Sequence, residues 1–215
     1  MLKTIMRKII ASVRSILISA TGLMNGIKFS PFATVSATGL INISPKTTIK
    51  KAVLNAQGGE ITLSRGVWLN DGVEINSHSK IFLGEGTTIQ RNVTINGEVN
   101  IGSECLFAPN VFISSTSHVH DYLPGLSIRE QERRISKAEF FKLYNKPITI
   151  GDDVWLGANV VVMPGINIGS HVIIGSNSVV NQDIPPGVIA AGVPVKIIKM
   201  RQGFHSSLDV PGNDN

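Results

Sequence analysis

An aliphatic residue returns every sixth position through most of this chain. Leu63, Leu69 and Ile75 set the beat, and after a two-residue slip it resumes at Leu83, Ile89, Ile95, Ile101, Phe107 and Ile113. A non-repeating stretch follows, and the beat returns at Ile150, Leu156, Val162, Ile168, Ile174 and Val180. Four residues after most of these stands a small or β-branched residue: Val67, Val73, Thr87, Val93, Val99, Cys105, Val111, Val154, Val160, Val172 and Ser178. Gly, Asn or Asp commonly follows the leading aliphatic, as in Leu83-Gly84, Ile101-Gly102 and Ile174-Gly175.

A hexad of this kind reads as an all-β parallel β-helix. Each unit is one short strand plus a corner, and three units make one triangular coil. The aliphatic side chain points into the prism, the small residue fills a crowded interior site, and Gly or Asn eases the backbone at the corner. An amphipathic helix would need apolar residues at spacings of three and four instead.

With 215 residues and 42% hydrophobic content, the chain suits one solenoid domain. Its 21 Gly and 6% aromatics fit corners and a narrow interior. The formal charge of +5 is compatible with anionic small molecules, but no clustered basic face marks a nucleic-acid partner. Cys105 is the one cysteine and takes the inward small site of its hexad, as an inert core residue. An internal disulfide is impossible, which agrees with a reducing compartment.

Three regions depart from the beat. Met1 to Leu23 mixes Lys3, Arg7, Lys8 and Arg14 with apolar residues at helical spacing, and fits neither a cleavable signal nor a membrane span. Two compatible readings stand: a helix capping the first coil, or a basic amphipathic helix on the inner membrane surface. The organisation expected is an N-terminal helix and cap over 1–42, the β-helix over 43–203, and a disordered tail over 204–215. Residues 118–147 form an inserted loop within the β-helix. In that loop Ser127-Ile128-Arg129-Glu130 has capping-box form, and Arg129 to Tyr144 is expected to be helical. Pro185-Pro186-Gly187 is expected to end the coil.

The flanking motifs carry a resemblance. Hexads on either side of an excursion, the tract Ile148-Thr149-Ile150-Gly151-Asp152-Asp153-Val154-Trp155-Leu156-Gly157, and the ending Asp183-Ile184-Pro185-Pro186-Gly187-Val188-Ile189-Ala190-Ala191-Gly192-Val193-Pro194 resemble the hexapeptide-repeat acetyltransferases. The branch is that of galactoside, maltose and nodulation-factor acetyltransferases and the surface-polysaccharide O-acetyltransferases. The resemblance covers roughly Leu83 to Lys199 and implies a left-handed β-helix, a homotrimer, and acetyl-CoA as co-substrate in the groove between subunits. The acceptor implied is a saccharide hydroxyl in capsule, O-antigen or exopolysaccharide assembly, in the cytoplasm and peripheral to the inner membrane if the N-terminal helix binds there.

By the order His, loop, Gly-Asp-Asp-Val-Trp, His118 matches the family's catalytic histidine, and His120 a neighbour that is often also His. A sugar hydroxyl is a poor nucleophile at neutral pH, and an imidazole can take its proton as it attacks the thioester. Asp121 is a candidate to orient one of the rings. The resemblance places Ala158, Ser176, Asn181, Lys196 and Lys199 beside coenzyme A, the lysines facing phosphate. Equally, those lysines read as a solvated face. Several relatives carry Lys where this chain has Gln182, which removes one charge contact and leaves phosphate to Lys196, Lys199 and Arg201. Trp155 precedes the inward Leu156, so it should point outward, as a wall of the cofactor groove or as trimer packing. His78 and His171 read as surface residues, and no metal is expected.

Competing readings remain. An amino-sugar N-acetyltransferase or an antibiotic acetyltransferase would use the same fold. A γ-type carbonic anhydrase would need three converging imidazoles, for which only His118, His120 and His171 come into question. A structural or ice-binding solenoid would lack the excursion.

Overall fold

The computed structural model describes residues 26–204, which wind into a three-walled prism. With strands numbered in chain order, one wall stacks β1 (Lys28–Phe29), β4 (Thr48–Ile49), β7 (Trp68–Leu69), β9 (Thr88–Ile89), β11 (Leu106–Phe107), β14 (Trp155–Leu156), β17 (Ile173–Ile174) and β19 (Val188–Ala191), all parallel. The final strand, β20 (Lys196–Met200), runs antiparallel against β19 and closes this wall. The second wall stacks β2 (Thr34–Ala37), β5 (Val53–Ala56), the first half of β8 (Glu74–Leu83), the first half of β10 (Thr94–Ile101), β12 (Phe112–Ser114), β15 (Val161–Val162) and β18 (Val179–Val180). The third holds β3 (Leu40–Ile43), β6 (Glu60–Leu63), the second halves of β8 and β10, β13 (Ile148–Ile150) and β16 (Asn167–Ile168).

The hexad explains the interior. Every leading aliphatic named above from Leu63 to Val180 is buried, and so is every small residue four places on. Thr87 and Ser178 tolerate this because their hydroxyls donate to backbone carbonyls, Thr87 to Gly102 at 2.8 Å and Ser178 to Gly175 at 2.6 Å. At one corner Asn92, Asn110, Asn159 and Asn177 all have left-handed φ, between 58° and 63°. Asn tolerates that conformation, and its amides bond from coil to coil at 3.3, 3.1 and 2.8 Å. At another corner the coils approach so closely that a Cβ on Gly84 would lie 2.4 Å from the Gly102 carbonyl carbon.

The two-residue slip marks a change of pitch. Ile49, Leu69 and Ile89 stack in steps of 20 residues, whereas Ile89 to Phe107 and Leu156 to Ile174 are steps of 18. The register shifts between Gly97 and Val99, where β10 passes a corner that the longer coils round with two more residues.

Four local expectations are refined. The coil begins at Lys28, inside the segment assigned to the cap, because Phe29 and Val35 already carry the beat inward. It also continues past Pro185-Pro186: Gly187, at φ +72°, turns the chain into β19, which joins the first wall as a further parallel strand. The excursion helix is two helices, α1 (Ile128–Arg134) and α2 (Lys137–Tyr144), because Ile135 and Ser136 are extended. Ser127 caps α1, and the full capping box belongs to Ser136 and Glu139 at α2. The amphipathic helix expected over Met1 to Leu23 and the tail beyond 204 lie outside the described residues. Among the described residues no helix is long and apolar enough to cross a bilayer.

Candidate functional site

The excursion leaves the second wall after Ser114 and returns at Ile148, and its two ends are tied together. Thr116 and Asn145 form an antiparallel bridge, Lys146 N donates to Ser115 O at 2.8 Å, and Ser117 N to Tyr144 O at 3.3 Å. Beneath the knot, Asn145 Nδ2 donates to Glu98 Oε2 at 2.8 Å on the neighbouring coil. Gln131 of α1 is buried and organises the loop: its amide donates to the carbonyls of His120 and Leu126, and its oxygen accepts from Leu123 N. Val119 is also buried, so the histidines on either side of it are fixed at the mouth of the excursion.

The His118 ring is 79% exposed, and its Nδ1 lies 2.5 Å from Glu132 Oε1 on α1. A carboxylate only accepts, so the shared proton belongs to Nδ1, and Nε2 is the ring nitrogen that Glu132 does not engage. Arg129 stands 3.7 Å from the other oxygen of Glu132. The sequence reading missed Glu132, and no spacing rule would have found it, since it reaches His118 only through the fold of α1.

His120 has a different environment. Its Nδ1 is 3.0 Å from the His118 carbonyl oxygen, which requires the proton there, and Tyr144 meets its ring edge-on at 6.1 Å. Asp121 Oδ2 lies 3.9 Å from Nε2, while Tyr144 donates to Oδ1 at 2.5 Å. That phenol holds the Asp121 carboxyl below the usual range, and the carboxylate in turn pushes the Tyr144 hydroxyl up. Asp121 therefore leans on His120 and not on His118. His120, Asp121, Tyr122, Tyr144 and Lys146 line a concavity of about 440 Å³.

The remaining candidates fall in two places. Ala158 and Ser176 stack on adjacent coils at one corner, where Ala158 O accepts from Asn177 N at 2.8 Å. Lys196, paired with Ala191 on β19, stands near that corner, while Lys199 pairs with Ile189 farther along the wall. Asn181 sits at the next corner, after β18, in the column from which the excursion departs. Between the corners the second wall presents Phe112, Val161 and Val179 outward. Trp155 is exposed on the first wall, stacked between Leu106 and Ile173. Gln182 donates to Val195 O at 3.3 Å, so it secures the terminal hairpin. None of the polar partners of His118 belongs to this second group of residues.

His171 is far from the excursion histidines in its contacts. Its Nδ1 lies 3.0 Å from Asp153 Oδ2, and its ring stacks on Phe204 at 4.6 Å. Among the described residues no three His, Cys, Asp or Glu side chains converge as a metal site would require. Cys105 is buried, its thiol pushed up to about 11 by burial, and it donates to Gly151 O at 3.1 Å.

A family model described as "Bacterial transferase hexapeptide (six repeats)" matches residues 147–182. The chain is 36% identical over 140 residues to galactoside O-acetyltransferase of Escherichia coli K12, covering 64% of this chain and 63% of that one. It is 37% identical over 139 residues to a protein of the same strain provisionally named a lipopolysaccharide biosynthesis O-acetyl transferase, WbbJ, covering 63% and 61%. The chain thus spans a little under two thirds of the length of these curated relatives. Among solved structures, a hexapeptide transferase family protein from Anaplasma phagocytophilum superposes with a TM-score of 0.57 over 79% of this chain and 84% of that one. Their identity is 15%, so that likeness is one of fold.

Proposed function

We infer that this chain, a hexapeptide-repeat acetyltransferase by its hexads, its relatives and its prism, moves an acetyl group from acetyl-CoA to a sugar hydroxyl. The observation that carries the reading is the His118–Glu132 pair at the mouth of the excursion, on a ring that is otherwise largely exposed. In the proposed reaction Nε2 takes the hydroxyl proton as the sugar oxygen attacks the thioester carbonyl carbon, and Glu132 stabilises the imidazolium. The C–O bond forms, the C–S bond breaks, and the proton passes from the imidazolium to the departing thiolate. Backbone amides of the coil are the donors proposed for the oxyanion.

Coenzyme A is proposed to lie against Ala158, Ser176 and Asn181, with Trp155 as a wall and Lys196 and Lys199 as phosphate partners. A homotrimer is the proposed assembly. The outward apolar column Leu106–Trp155–Ile173 supports it, since stacked exposed apolar residues favour burial against another surface. The names of the E. coli relatives support a saccharide acceptor, and surface-polysaccharide assembly on the cytoplasmic side of the inner membrane is the setting proposed.

Acetyl transfer to a panel of glycans, followed by thiol release, tests this reading. His118→Ala is expected to lose about 10²- to 10⁴-fold in kcat, and His120→Ala far less. Full activity in His118→Ala, or no thiol release with any acceptor, overturns it.

A further inference from the structure

Among the described residues strand β20 is held along one edge only, by a ladder to β19 that is itself irregular between Ile189 and Ala190. An edge hairpin of this kind frays unless its ends are fixed. Its near end is fixed by Val195 N donating to Val179 O at 3.0 Å and by Gln182. Its far end is fixed by a different device.

Asp153 occupies a corner at φ +52°, one coil below His171 at φ +64°. Its Oδ2 accepts from Arg201 Nη1 at 2.7 Å and from His171 Nδ1 at 3.0 Å. Arg201 follows β20 directly and covers the ring of Phe204 at 4.9 Å, while Phe204 stacks on His171. Arg201 N also donates to Gly187 O at 2.7 Å, and a Cβ on Gly187 would press 3.0 Å from Phe204 Cβ. One carboxylate thus takes two side-chain donors, and through them an aromatic stack, and so ties three separated segments together. The His171 hydrogen bond, and then Arg201, keep the Asp153 carboxyl below its ordinary range.

We propose that Asp153 is a positioning residue for the coenzyme: by pinning the end of β20 through Arg201 and the His171–Phe204 stack, it holds Lys196 and Lys199 where the phosphates bind. The inference rests on the donor site of the proposed function and adds a residue that touches no part of the ligand. Among the described residues neither lysine has a side-chain ion pair or hydrogen bond. Both are exposed on an edge strand, and their placement is only as firm as the strand.

Hydrogen exchange and coenzyme A titration on the full chain, in wild type, Asp153→Asn and Arg201→Gln, test the clamp. Amides over 188–201 are expected to exchange faster in both variants, with exchange over 83–113 unchanged. The Kd for coenzyme A is expected to rise about five- to tenfold, with kcat at saturating acetyl-CoA held within about twofold. Asp153→Asn added to a variant that already lacks both lysines (Lys196→Ala with Lys199→Ala) is expected to bind no more weakly than that lysine variant alone, a non-additivity that simple destabilisation does not produce. Unchanged hairpin exchange, unchanged affinity, or additive losses each overturn the clamp. A wild-type protein that binds no coenzyme A overturns the donor site itself, and is read separately from the exchange result.

Discussion

Ser115 Oγ donates to Asn145 Oδ1 at 2.6 Å across 30 residues of chain, so one side-chain bond joins the departure of the excursion to its return. The same hydroxyl accepts from Glu98 N at 2.8 Å, and the Asn145 amide reaches Glu98 Oε2. Asn145→Ala removes two of these bonds and leaves partly buried groups unpaired. The expected loss is about 1–3 kcal/mol of stability in urea unfolding, together with a fall in kcat as the mouth of the loop loosens.

Glu132→Gln keeps the size of the side chain and removes its charge. In the proposed reaction the imidazolium then lacks its counter-charge, and the carboxylate that fixes the Nδ1 proton is gone. We expect kcat/KM to fall about 10- to 100-fold with KM for acetyl-CoA unchanged, read from steady-state kinetics beside His118→Ala.

Cys105 is walled in by the coil and its thiol is pushed up to about 11. Thiolate is the reactive form, so labelling by an aromatic disulfide at pH 8 is expected to be negligible in the folded protein and complete in denaturant. Rapid labelling of native protein would show the prism to be open at that coil.

Asp153 titrates below its ordinary 3.8 in the folded protein, first through His171 and then through Arg201. A folded value below the unfolded one means that the unfolded chain takes the proton more readily. The contribution is therefore complete above the unfolded value and is lost as the pH falls through the folded one. The Tm gap between wild type and Asp153→Asn is expected to be steady from about pH 6 down to about pH 5, and to close as the pH falls below 3.8.

At Gly84 a methyl group would be driven into the Gly102 peptide of the next coil, with 2.4 Å to its carbon and 2.5 Å to its oxygen. Gly84→Ala is expected to cost about 1–3 kcal/mol, measured by thermal unfolding, because two coils must part to admit one carbon.

The core was legible because a solenoid repeats its own environment. Leu83, Ile101 and Ile150 stack in one column, and the outward Trp155 follows from its place before Leu156. Legibility failed where the repeat period changes. Ile49 to Leu54 is five positions and Leu54 to Ile61 is seven, so Leu54 falls outside a beat of six, and Phe29 and Val35, themselves six apart, stand beyond that irregular coil. The His118–Glu132 and Asp153–Arg201 pairs escaped for another reason. Each joins a coil or loop mouth to a segment outside the repeat, and neither spacing is set by the hexad. The split between α1 and α2 was hidden because both helices carry good helix formers, and only Ser136, a second cap, announces the break.

The reversed direction of β20 has a consequence for how the molecule meets its own kind. A rising parallel stack invites another copy to continue it, rung upon rung, into a fibre. Here the topmost rung of the first wall is roofed by a strand running the other way, with lysines on its outward face. Removing that roof, by truncation after Gly192, should turn a discrete particle into one that grows end to end in solution.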